Sequence, residues 1–148
     1  MNLQWAVAAK FTAAIVLGAL IGFEREIIKR PAGVRTHALV AGASCLLMSL
    51  KEVILLQVPI NESVHADPFA LVGAIITGIS FIGAGTIIQR GSLGVEGLTT
   101  AAALLMSSVV GIYISLGQYY SAVFSSFLSL VILYFLRPLT AKLHPKNG

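Results

Sequence analysis

Few residues of this sequence can do ionic chemistry, and they gather in three places. The first is Glu24, Arg25 and Glu26, followed by Arg30-Pro31-Ala32-Gly33-Val34-Arg35-Thr36-His37. Glu24, Glu26 and His37 can offer oxygen and nitrogen ligands to a cation, with Asp67 a more distant carboxylate. Hard Mg²⁺ prefers oxygen and keeps part of its water shell. The competing reading is a salt-bridged collar, in which Glu24 pairs with Arg35 or another arginine of the cluster. The second place is Lys10, four residues before Ala14. An ionisable residue inside an apolar span marks function by default. A lysine near a helix end also snorkels to the interface, and spacing leaves both readings open. The third is Lys51-Glu52. Adjacent residues do not face each other on a helix, so this pair is expected to mark a helix end. There is no HExxH, GxSxG or P-loop, and hence no catalytic constellation. Cys45 is the only cysteine, which excludes an intramolecular disulfide and a CxxC metal site.

The elements that position these residues are membrane helices. Of 148 residues, 57% are hydrophobic and 11% charged, and the mean hydropathy is +0.90. A soluble domain carries about 25% charged residues, so the polar surface is too small for a water-facing globule. The fold class expected is all-α, a single transmembrane bundle over residues 1–148. Its five spans are 5–23, 36–56, 69–88, 98–116 and 119–136. The last two are separated by a tight turn at Gly117-Gln118. The first stretch lacks a basic leader and an A-x-A-like cleavage site, and is expected to stay as the first helix. Pro31 and Gly33 shape a turn, and Thr36 can cap the second helix.

Loop charge sets the orientation. Arg25, Lys29, Arg30 and Arg35 lie between the first two spans, Arg90 between the third and fourth, and Arg137, Lys142 and Lys146 after the fifth. The segment 57–68 has no Lys or Arg but carries Glu62 and Asp67. The positive-inside rule then places the N-terminus outside and the C-terminus in the cytoplasm. The same rule explains the net charge of +4 better than a nucleic-acid surface does. The expected surroundings are lipid and other membrane proteins, a second copy included.

Small residues recur at helical spacing, which lets membrane helices approach closely. The first span has Ala14, Gly18 and Gly22, the fourth Ser108, Gly111 and Ser115, the fifth Ser121, Ser125 and Ser129. On the third, Ala74, Thr77, Gly78, Phe81 and Gly85 share a face. Ile75, Ile76, Ile79 and Ile82 form the other, expected to meet lipid. Packing and a polar pathway both fit such stripes.

Three segments together resemble the membrane domain of the MgtC/SapB family. They are Gly22-Phe23-Glu24-Arg25-Glu26 with Arg30 to His37; Asp67-Pro68 with Gly78-Ile79-Ser80-Phe81-Ile82-Gly83-Ala84-Gly85-Thr86-Ile87; and Gly97-Leu98-Thr99-Thr100-Ala101-Ala102. Their order and their placement at span boundaries make the set specific. The resemblance implies a five-span bacterial inner-membrane protein linked to growth at low Mg²⁺, virulence-related survival in host cells and restraint of F-type ATP synthase. Together with the ionic residues above, the functional candidates are Lys10, Arg25, Arg35, Thr36, His37, Gly78, Gly85, Thr99 and Thr100, beside the weaker metal candidates Glu24, Glu26 and Asp67. No cofactor is implied beyond Mg²⁺ itself. The sequence departs from many members at Ala70 and Ala74 (Arg and Gln), Ser80 (Gly) and Leu105 (Trp). It is also expected to lack their soluble ACT-like C-terminal domain. The leading expectation is a non-enzymatic regulator of another membrane protein. A cation transporter or channel is the alternative, supported by Lys10, Glu24, Glu26, Asp67 and His37.

Overall fold

The computed structural model describes residues 2–57, 67–89 and 95–143. Glu62, Arg90 and Lys146 of the charge pattern lie outside them. The chain runs α1 (Leu3–Ile27), α2 (Val34–Gln57), α3 (Pro68–Gly85), β1 (Ile88–Gln89), β2 (Val95–Glu96), α4 (Leu98–Ser115) and α5 (Tyr119–Leu143). The protein is an all-α bundle of membrane type. Among the described residues, α1, α2, α4 and the Tyr119–Leu136 part of α5 are long and apolar enough to cross a bilayer.

α3 is shorter than expected. Its 18 residues end three positions before the expected Ile88. The span expected over 69–88 stops at Gly85 because Thr86 folds back. Its N–H donates to the Gly83 carbonyl at 2.9 Å, and its hydroxyl donates there at 2.7 Å. Ile88 then pairs with Glu96 in an antiparallel ribbon that periodicity did not announce. Gly97 turns the ribbon into α4 with φ +97°. A Cβ there would strike the Thr86 carbonyl, so glycine is required.

Two helix ends close the same way. At the end of α1, Lys29 N–H donates to Glu26 O and Arg30 N–H to Arg25 O, both at 3.0 Å. At the end of α4, Gly117 N–H donates to Ile114 O at 3.0 Å and Gln118 N–H to Tyr113 O at 2.9 Å. Both are Schellman closures. Gly117 takes the left-handed position at φ +74°, but in α1 it falls to Lys29 at φ +56°. A side chain there carries a steric cost. In return, Arg30 is folded back over Arg25.

α4 is the axle of the bundle. Of its span 56% is buried, against 17% of α5, and α1, α2, α3 and α5 all pack on it. Ala14, Gly18 and Gly22 face α2 within the chain: a Cβ on Gly18 would lie 2.5 Å from the His37 carbonyl, and one on Gly22 2.7 Å from the Gly33 carbonyl. Gly111 presses against the Ala41 carbonyl, closer than any side chain allows.

Two stripes fall differently from expectation. On α3, Ile75 and Ile79 are buried, in one apolar cluster with Met48, Leu104 and Ile112. Ala74, Thr77, Gly78, Phe81 and Gly85 are exposed instead. Bulky side chains fill the hollow between α2 and α4, so the small face turns outward. On α5 the buried stripe is Ala122, Ser126 and Ser129, while Ser121 is exposed. One position of rotation moves the apolar Ala122 into the core.

Candidate functional site

The arginine and carboxylates of the first cluster lie on the last turns of α1, which runs four residues past the expected end at Phe23. That extension buries Glu24 and Arg25. The Arg25 side chain is 4% exposed and donates through Nη2 to Thr100 Oγ1 on α4 at 3.0 Å. Its Nη1 lies 3.7 Å from Glu24 Oε2. Both Glu24 oxygens are buried and accept no hydrogen bond among the described residues. Of the arginines expected to pair with Glu24, it is Arg25 and not Arg35 that does so. Arg35 is exposed on α2, and Glu24 has its ion pair with its own neighbour Arg25.

Glu26 does different work. Its Oε2 accepts from Val34 N–H at 2.7 Å and so closes the start of α2 with a carboxylate, where the helix dipole favours negative charge. Gly33 makes room for it: a Cβ there would meet Glu26 Oε2 at 2.5 Å. Thr36 is thus not the cap, because α2 begins two residues earlier, at Val34. His37 is fully buried, and its Nδ1 lies 2.9 Å from the Gly33 carbonyl. A carbonyl only accepts, so Nδ1 carries the hydrogen, and in the neutral ring Nε2 is then the bare nitrogen. Nε2 has no hydrogen-bond partner among the described residues.

Beyond this cluster a polar seam joins α2 to α4. Ser44 and Ser108 share a hydrogen bond at 2.9 Å, as do Ser49 and Ser115. Both bonds are buried, with Gly111 packed between them. At the far end Lys10 Nζ pairs with Glu52 Oε1 at 3.1 Å. Lys10 faces into the bundle and Glu52 bridges to it across the α1–α2 contact. Adjacency with Lys51 gave no hint of this pair. The helical positions of residues 10 and 52 were separately legible, but their juxtaposition depended on the antiparallel register.

The candidate metal ligands do not converge. Glu24 is beside Arg25, Glu26 caps α2, and Asp67 caps α3 by accepting from Phe69 N–H at 2.8 Å. Among the described residues no three His, Cys, Asp or Glu side chains are grouped to hold an ion. Thr100 is brought into the buried cluster; Thr99 is exposed beside it. Gly78 and Gly85 stand apart, on the outer face of α3, with open space around them.

The chemistry available among the described residues is thus ionic and hydrogen-bonded contact between helices, with the buried Glu24 carboxylate lacking a donor there. Comparison with known proteins agrees with the motif set. The model of the MgtC family matches residues 11–142. The putative magnesium transporter YhiD of Escherichia coli (strain K12) is 36% identical over 135 residues, 91% of this chain and 62% of that protein. Protein SapB of Bacillus subtilis (strain 168) is 31% identical over 149 residues, 98% of this chain and 64% of that protein. Protein MgtC of Salmonella typhimurium (strain LT2) is 41% identical over 112 residues, 74% of this chain and 43% of that protein. The chain spans less than two thirds of the length of each. No solved structure matches.

Proposed function

From the premise that the chain belongs to the MgtC family, we propose that it is a non-enzymatic regulator in a bacterial inner membrane. It acts by contacting another membrane protein, with F-type ATP synthase the candidate partner, and serves growth at low magnesium or under stress. The observation that carries this reading is the outer face of α3. Gly73, Gly78 and Gly85 there have no atom of the described residues within 4 Å of a Cβ position. Thr77 and Ser80 donate to their own helix at 2.8 Å, so the face tolerates lipid and still lets a partner helix come close. The basic end of the bundle faces the cytoplasm in this reading, with the N-terminus outside.

The alternative is cation transport. It is favoured by Glu24, a buried carboxylate without a hydrogen-bond donor among the described residues, and by the name of the YhiD relative. Co-reconstitution with F-type ATP synthase in sealed liposomes separates the two. The regulator lowers ATP-driven proton pumping and carries no Mg²⁺ above protein-free vesicles, and Gly78→Leu restores pumping. Mg²⁺ flux with unaltered pumping would overturn the proposal in favour of transport.

A further inference from the structure

A second site lies at the Arg25 end of the bundle, on the side away from the α3 face. A cavity of about 530 Å³ is bounded by the end of α1, the start of α4 and the middle of α5. Its polar lining includes Arg25, Arg30 and Thr99; its apolar wall includes Ile132, Leu133 and Leu136. The Arg25 guanidinium is nine-tenths buried. A cation this deep in a membrane protein is costly, and belongs to a polar or charged site rather than to lipid. The α1 closure at Lys29 brings Arg30 to the same cavity. Helix geometry leaves the first N–H groups of α4 without intrahelical acceptors, and Gly97 gives them no side-chain cap. Glu96 is the one acidic residue of the lining among the described residues. Glu24, the ion-pair partner of Arg25 at 3.7 Å, lines the apolar groove between α1 and α5.

We propose that this cavity binds the phosphate group of an anionic membrane lipid. Arg25, Arg30 and the α4 N-terminus face the phosphate, and an acyl chain lies along Ile132, Leu133 and Leu136. Basic pockets between transmembrane helices hold acidic headgroups by the same chemistry. The apolar wall selects lipid over free phosphate. Ile132 is 48% and Leu136 49% exposed, so the cavity opens along α5 towards the bilayer. The site is independent of what covers α3 and of whether the protein regulates or transports.

Native mass spectrometry of the full chain tests it, with phosphatidylglycerol and phosphatidylcholine of matched chains as probes. The wild type retains phosphatidylglycerol in preference to phosphatidylcholine. Arg30→Gln lowers that preference about fivefold, the effect of one basic residue near an anionic lipid surface. Thr99→Asp lowers it as well, while its charge favours the start of α4, so the loss is not one of folding. Lys29→Gln, at a neighbouring basic residue outside the lining, leaves the preference intact. An unchanged preference in both Arg30→Gln and Thr99→Asp would overturn the site. So would an equal loss in Lys29→Gln, which marks unspecific attraction to basic surface. Displacement of the retained lipid by millimolar inorganic phosphate alone would overturn the lipid assignment.

Discussion

Gly18 and Gly22 on α1 and Gly111 on α4 lie where two backbones nearly touch, whereas Gly73, Gly78 and Gly85 on α3 face outward. The first three each leave no room for a Cβ against α2, but the last three have no atom of the described residues within 4 Å of a Cβ position. The same residue type therefore marks an internal seam in one region and a free face in the other. What separates them is the opposite side of each helix. On α3 that side carries Ile75 and Ile79, which fill the hollow against Leu104 and Met48. On α1 the opposite side is Val16, Leu20 and Phe23, all about half exposed, and it is the small side that turns inward.

Breaking this contrast requires matched substitutions. Gly111→Leu is expected to be the most damaging, about 3 kcal/mol or more, because the obstruction is backbone and cannot rotate away. Gly18→Leu follows for the same reason. Gly78→Leu should leave the thermal unfolding of the detergent-solubilised chain within about 0.5 kcal/mol of wild type, as expected for a surface change. Equal destabilisation by Gly78→Leu and Gly111→Leu would show that the two regions are not different in kind.

Next in size is the buried cluster that ties α1 to α4. Arg25→Gln removes the charged hydrogen bond to Thr100 and leaves Glu24 buried without its ion pair. A loss of about 2 kcal/mol is expected, since a hydrogen bond to a charged group contributes about 1.5–3 kcal/mol. Adding Glu24→Gln should recover part of it, because the remaining uncompensated charge goes with it. Arg35→Gln, on the exposed side, should change stability by less than about 0.5 kcal/mol. A chemical-denaturation series over these variants decides the matter: additive losses would mean that Glu24 and Arg25 do not interact.

The sequence carried the helices and the inner seam of α1 and α4, because apolar length and small-residue spacing are local signals. It also carried the polar cluster as a set of residues. The pairings were not legible. Arg25 meets Thr100, 75 positions away, and Lys10 meets Glu52, 42 away, and both depend on how helices cross. On α3 the expected lipid face is split: Ile76 and Ile82 are exposed, but Ile75 and Ile79 are buried, because periodicity defines two sides and not which one is inward. Thr36 looked like a cap because its type suits one; Glu26, reaching eight residues along the chain to Val34 N–H, took that place.

The serine seam between α2 and α4 should prove weaker than its burial suggests. Ser44→Ala is expected to cost about 0.6 kcal/mol, the average for a hydrogen bond between membrane helices. Replacing Ser108 by Ala as well should cost little more, since no hydroxyl is then left without a partner. A loss above about 2 kcal/mol for the single variant, in steric-trap or thermal unfolding, would raise this seam to the rank of the Arg25 cluster.

The smallest effect belongs to Lys10 and Glu52. Their side chains are 15% and 43% exposed, so water reaches the carboxylate and screens the pair. Pairs of this kind contribute about 0–1 kcal/mol. Lys10→Met should therefore lower stability by about 0.5 kcal/mol or leave it unchanged, because a methionine keeps the apolar stem that packs near Ala14. The coupling energy from a cycle with Glu52→Gln should shrink between about 0.05 M and 1 M salt, as the screening length falls to a few ångströms. The α1–α2 contact would survive, held by Gly18 and Gly22 rather than by charge. A salt-independent coupling above about 2 kcal/mol would mean that the pair is shielded from water, and that the Lys10 end of the bundle is sealed as tightly as the Arg25 end.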